Sequence, residues 1–190
     1  MQTLYKSLLV TTLCAAVSVF IFADVSQANG GGSGSSKVKV KVRAELEPFD
    51  GSPDSDAEGK ARHKKETRTR DGVTKIKKDE FKATVKIPVP SPALGITEDN
   101  AENADIRLIL SNAGGNFANC QLEFDEIDED DDDEMQAEFK VDVRLKKGTV
   151  RDKRGTCDGS VPDAQAGDVA TATFGPGPTP FLRGTFEQHH

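Results

Sequence analysis

From residue 37 the chain alternates strictly. Val38, Val40, Val42, Ala44 and Leu46 stand on one side, and Lys37, Lys39, Lys41, Arg43 and Glu45 on the other. A period of two is the pattern of a strand with one face buried. The same period returns at Phe81, Ala83, Val85, Ile87 and Val89, and again at Ala137, Phe139, Val141, Val143 and Leu145. Between the first two runs lie a turn-rich loop at residues 48–59, a basic stretch at 61–70 and Asp71-Gly72, a strong hairpin dipeptide. Pro88, Pro90 and Pro92 end the return strand, because each removes a ladder donor.

Residues 104–112 and 117–127 flank Ala113-Gly114-Gly115-Asn116, which predicts a second hairpin. On its second strand Ala118, Cys120, Leu122 and Phe124 share a face, so Cys120 is expected to point inward. Two short strands are expected at 169–174 and 181–186, and at most one helical turn within 96–104. Six to eight short strands separated by turns predict an all-β fold, an antiparallel β-sandwich of immunoglobulin-like or jelly-roll-like type, with a barrel as the alternative.

The start of the chain has a different character. Lys6, an apolar run over residues 8–22 and the small residues Ser26 and Ala28 have the layout of a secretory signal, with cleavage expected after Ala28. The run is short for a membrane span of about 20 residues. Cys14 lies inside it rather than at a cleavage boundary, which argues against a lipid anchor. The expected organisation is a signal peptide at 1–28, a Gly/Ser-rich linker at 29–36, one β-rich domain at 37–188 and a tail at 189–190, in a secreted or periplasmic protein.

Compartment changes the reading of the cysteines. Cys120 and Cys157 remain after cleavage, and an even pair in an exported domain predicts a disulfide. Closing a loop of about 38 residues would stabilise by roughly 4 kcal/mol on the chain-entropy account. That matters in a chain whose Leu, Ile, Val and Phe content lies near the roughly 20% at which charged chains stop folding.

Catalytic groups are scarce. The histidines are His63, His189 and His190, with no motif around them that would make a nucleophile–base pair. His63, inside a basic stretch, is expected to be a solvated strand residue. There is no Trp, and Tyr5 falls within the signal segment, so stacking platforms for sugars or bases are not expected. The Phe residues are expected mostly in the core.

Charge is unevenly laid out. The whole chain carries −7, yet residues 37–88 hold 15 Lys/Arg against 10 Asp/Glu, and residues 89–145 hold 3 against 16. The densest acidic run, residues 125–134, includes Asp125, Asp128, Asp130, Asp131, Asp132, Asp133 and Glu134. Hard oxygen ligands in that number suit Ca²⁺, although the spacing is not that of an EF-hand; a solvated hairpin tip is the simpler expectation. The lysines of the first strand would guard a sheet edge or meet an anionic surface or polymer, and opposite charges could drive self-association. Nucleic acid is not expected as a partner of an exported chain with negative net charge. The expected function is a non-catalytic binding or structural module at the cell envelope or outside the cell, with a Ca²⁺-binding protein and an enzyme of illegible site as alternatives.

Overall fold

A computed structural model of the chain describes residues 35–129, 134–146 and 148–189. Residues 1–34, which hold the expected signal segment and most of the expected linker, Asp130 to Asp133, Lys147 and His190 lie outside the described residues. The described chain is an antiparallel β-sandwich of two open sheets and no closed barrel.

The larger sheet contains β1 (Ser35–Leu46), β2 (Glu58–Arg70), β3 (Val73–Pro88), β6 (Glu123–Glu129), β7 (Met135–Lys146), β8 (Thr149–Arg154) and β12 (Glu187–Gln188). Its order is β12-β1-β2-β3-β7-β6, with β8 also on β7. The smaller sheet contains β4 (Ile106–Asn112), β5 (Gly115–Gln121), β9 (Thr156–Cys157), β10 (Val169–Phe174) and β11 (Thr179–Thr185), in the order β11-β10-β4-β5-β9. One 3-10 turn, Ala101–Asn103, stands where a single helical turn is expected.

The alternating runs become the inner face of the larger sheet. Val42, Ala44, Leu46, Phe81, Val85, Ile87, Phe139 and Val143 are buried there, against Ile106, Leu108, Leu110, Ala170, Ala172 and Leu182 of the smaller sheet. Burying such side chains contributes roughly 1.5–3 kcal/mol each. Of the phenylalanines, Phe81, Phe139, Phe181 and Phe186 are buried, whereas Phe117 is exposed.

Two departures from the sequence reading have a common cause. Residues 117–127 are not one strand: β5 belongs to the smaller sheet and β6 to the larger, and the chain crosses between them at Leu122, whose N–H donates to the Ile106 carbonyl at 2.9 Å. Period two runs unbroken through such a crossing, because both sheets bury the same side of the strand. The turn-rich stretch after residue 146 likewise contains β8 and β9, whose polar sequences find partners already in place on β7 and β5.

The sheets also meet along one edge. Just beyond β1, Glu47 and Arg183 exchange backbone hydrogen bonds of 3.0 and 2.9 Å. Gly184 makes this possible: a Cβ there would overlap the Glu45 carbonyl. Cys120 and Cys157 lie directly opposite one another on β5 and β9, Cα–Cα 4.0 Å, and form the expected disulfide.

Candidate functional site

The outer face of β1, β2 and β3 is where the charge collects. Because Val42 and Ala44 face inward, Lys41 and Arg43 face out, and antiparallel register decides what stands beside them. Lys41 is directly opposite Lys64, and Arg43 is directly opposite Arg62. On the other side of β2, Arg62 faces Lys82 and Lys64 faces Glu80. These side chains, with Lys60, Lys78 and His189, line a concavity of about 710 Å³.

The two halves of this face are balanced differently. Towards β7, Glu80 takes Lys78 at 2.8 Å, Lys82 at 3.4 Å and Arg144 at 3.1 Å. Asp142 takes Lys82 at 2.8 Å and accepts from Nε and Nη2 of Arg144 at 2.8 and 2.6 Å. Partial burial pushes the carboxyls of Glu80 and Asp142 up. The cations beside them outweigh it, Lys78 first for Glu80 and Arg144 first for Asp142, and hold both below the ordinary range.

Towards β1 the carboxylates are fewer than the cations: Glu187 of β12 stands opposite Arg43, Glu45 opposite Lys60 and Glu66 opposite Lys39. Glu66 pairs with Lys37 at 2.9 Å and is held low by that hydrogen bond, and Glu45 pairs with its neighbour Arg43. Lys41, Lys60, Arg62 and Lys64 make no ion pair with any described residue. Like charges directly opposite each other destabilise a sheet. Edge protection accounts for lysines at the start of β1, but β12 pairs with β1 at Val42 and Arg43, and β2 is hydrogen-bonded on both sides.

His63 is not the solvated residue that its basic neighbours suggest. It shares the inward parity of Ala61 and is 1% exposed. Its Nε2 lies 2.8 Å from Asp79 Oδ1 and its Nδ1 lies 2.9 Å from the Ala164 carbonyl oxygen. An oxygen thus stands within hydrogen-bond distance of each ring nitrogen, which holds the imidazole from both sides. Lys65 reaches the same loop, pairing with Asp163 at 2.8 Å. The ring therefore fastens a loop to β2 beneath the concavity.

Of the acidic run, residues 125–129 lie on β6, where Glu129 stands opposite Met135 of β7, and Asp130 to Asp133 lie outside the described residues. Asp125, Glu126 and Glu138 bring ligand atoms within 4.8 Å of one another. Glu126 lies within the acidic run, whereas Glu138 lies outside it and arrives from β7 by cross-strand register. Lys140 pairs with both Asp125 and Glu138, and Arg154 also pairs with Asp125, so these carboxylates already have internal cations. Asp128 is exposed and accepts the Glu129 N–H at 3.0 Å. A divalent ion here would have to displace an ammonium and a guanidinium group.

No protein-family model, no curated protein and no solved structure matches this chain, so its similarity to other proteins adds nothing to the geometry.

Proposed function

We propose that this protein is an exported, non-catalytic binding module that holds an anionic ligand on the basic outer face of its larger sheet. The observation that carries this reading is the pairing of Lys41 with Lys64 and of Arg43 with Arg62 across β1 and β2, with Lys41, Arg62 and Lys64 in no ion pair with any described residue. An arrangement that works against the fold is accounted for when a ligand supplies the missing negative charge. The concave shape adds to this, since it lets several cations converge on one chain of anions.

Export rests on the signal-like residues 1–28, and the Cys120–Cys157 disulfide suits an oxidising compartment. Among the described residues no helix is long and apolar enough to cross a membrane, which leaves β-barrels unaddressed. Mass spectrometry of the exported form is expected to place its first residue at Asn29; an uncleaved chain in the membrane fraction would overturn this part of the reading.

The binding test is calorimetry with dextran sulfate and with polygalacturonate at low salt. The triple variant Lys41→Ser, Arg62→Ser, Lys64→Ser is expected to lose at least tenfold in affinity, about 1.4 kcal/mol. Equal affinity of variant and parent would sink the proposal. The acidic cluster at Asp125, Glu126 and Glu138 supports a second reading, Ca²⁺ binding, through the close approach of its carboxylates. Melting with Ca²⁺ and with Mg²⁺ at matched ionic strength decides it, because a shaped oxygen site favours the larger ion whereas screening does not.

A further inference from the structure

The run of cations does not stop at the concavity. β2 and β3 are 13 and 16 residues long, while β4, β5 and β11 of the smaller sheet have 7 residues each. The surplus projects as a three-stranded ribbon made of the start of β1, the end of β2 and the start of β3. Even side chains of inward parity reach solvent on it: Val38 is 47% exposed and Ile76, in line with it across Thr67, is 46% exposed.

Register carries the basic face onto this ribbon without a change of side. Glu66 faces Lys39 and Lys78, and the next outward row beyond the Glu66/Thr67 bulge is Lys37, Arg68 and Lys75. Arg70 follows, next to a second concavity of about 480 Å³ that Arg68, Lys75 and Lys77 also line. From Lys60 to Arg70 along β2 the track is about 33 Å long at 3.3 Å per residue, with successive outward positions about 7 Å apart.

We infer that the ligand is a linear acidic polysaccharide lying lengthwise along this track, from the concavity out to the hairpin tip at Asp71-Gly72. This rests on the anion-binding reading above and extends it. A compact anion would use only the central cluster and leave the ribbon's cations unexplained. Single-stranded nucleic acid would want aromatic platforms, and this face has none: there is no Trp, Phe81 and Phe139 point into the core, and exposed Phe117 is on the smaller sheet. A planar bilayer cannot follow a concave surface, and Val73, near the tip, is the one large apolar side chain exposed on the outward side of the described track. Charge complementarity with a flexible chain of carboxylates or sulfates meets both the length and the shape.

The experiment is a size series of oligogalacturonates titrated into the mature protein, with single-stranded DNA and phosphatidylglycerol vesicles run in parallel. Affinity is expected to climb with oligomer length until the chain spans the track, and then to level. The tip variant Arg68→Ser, Arg70→Ser, Lys75→Ser, Lys77→Ser is expected to bind short oligomers as the parent does and long ones at least tenfold more weakly, with a parental circular dichroism spectrum. If the tip variant keeps parental affinity for long oligomers, the extended track is wrong and the central site stands. Tighter binding of DNA or vesicles than of the longest oligogalacturonate overturns the polysaccharide assignment. If no polyanion binds, the anion-binding reading falls with it.

Discussion

His63 Nε2 sits 2.8 Å from Asp79 Oδ1, both side chains buried on the inner side of the sheet whose outer side carries the cations. A buried polar pair is felt mainly when it is broken, because the survivor is left without a partner. His63→Leu or Asp79→Leu alone is expected to lower stability by about 3–5 kcal/mol, and the double variant by far less than the sum of the two. Urea unfolding of all three closes the cycle. Additive losses would mean that the two side chains do not act as a pair. Because His63 also holds the Ala164 carbonyl, amides near residues 161–166 are expected to exchange faster in His63→Leu.

The disulfide joins β5 to β9, and β9 is only two residues long. With so little ladder of its own, β9 depends on the covalent link to stay in the sheet. Cys120→Ser with Cys157→Ser is expected to cost about 2–5 kcal/mol. Denaturant melts measure the loss, and thiol titration of the unfolded, unreduced protein is expected to find neither Cys120 nor Cys157 free.

Acid should act through the Glu80 and Asp142 cluster. Both carboxyls lie below their ordinary range in the folded protein, so the folded state binds protons less readily than the unfolded chain does. Their contribution is therefore fully present above the unfolded values near 4 and is lost as pH falls through the lower folded values. The melting temperature is expected to drop below about pH 4. In Glu80→Gln that drop is expected to be shallower, with lower stability at neutral pH; parallel pH curves for variant and parent would contradict this.

Arg62 offers a test in the opposite direction. It stands directly between Arg43 on β1 and Lys82 on β3, so replacing it by Thr, a good strand residue, removes a repulsion on each side. Arg62→Thr is expected to raise stability by about 0.2–1 kcal/mol while weakening polyanion binding. A residue retained for the fold would show a loss of stability instead.

Gly184 allows the edge where the two sheets meet, since a Cβ would overlap backbone that cannot rotate away. Gly184→Ala is expected to cost about 1–3 kcal/mol, the range for overpacking. Gly177→Ala, where a Cβ meets nothing, is the control, expected to unfold as the parent does.

Within the alternating strands the sequence by itself determined what faces where. Period two placed Val42 and Ala44 inside and Lys41 and Arg43 outside, put Cys120 on the core side, and located the Asp71-Gly72 turn, because side-chain alternation and turn chemistry are properties of a few consecutive residues. The identity of neighbours across strands was decided only by the tertiary structure. Arg62 became the partner of Arg43, Glu138 came to lie beside Asp125, and β2 became an interior strand through hydrogen-bonded register. His63 shows the same limit most plainly. Its parity with Ala61 was readable, but its burial required Asp79 from the next strand and the Ala164 carbonyl, 101 residues away along the chain, to satisfy both ring nitrogens. Local periodicity carries no information about contacts of that separation, and it is those contacts that turn scattered lysines and arginines into one face.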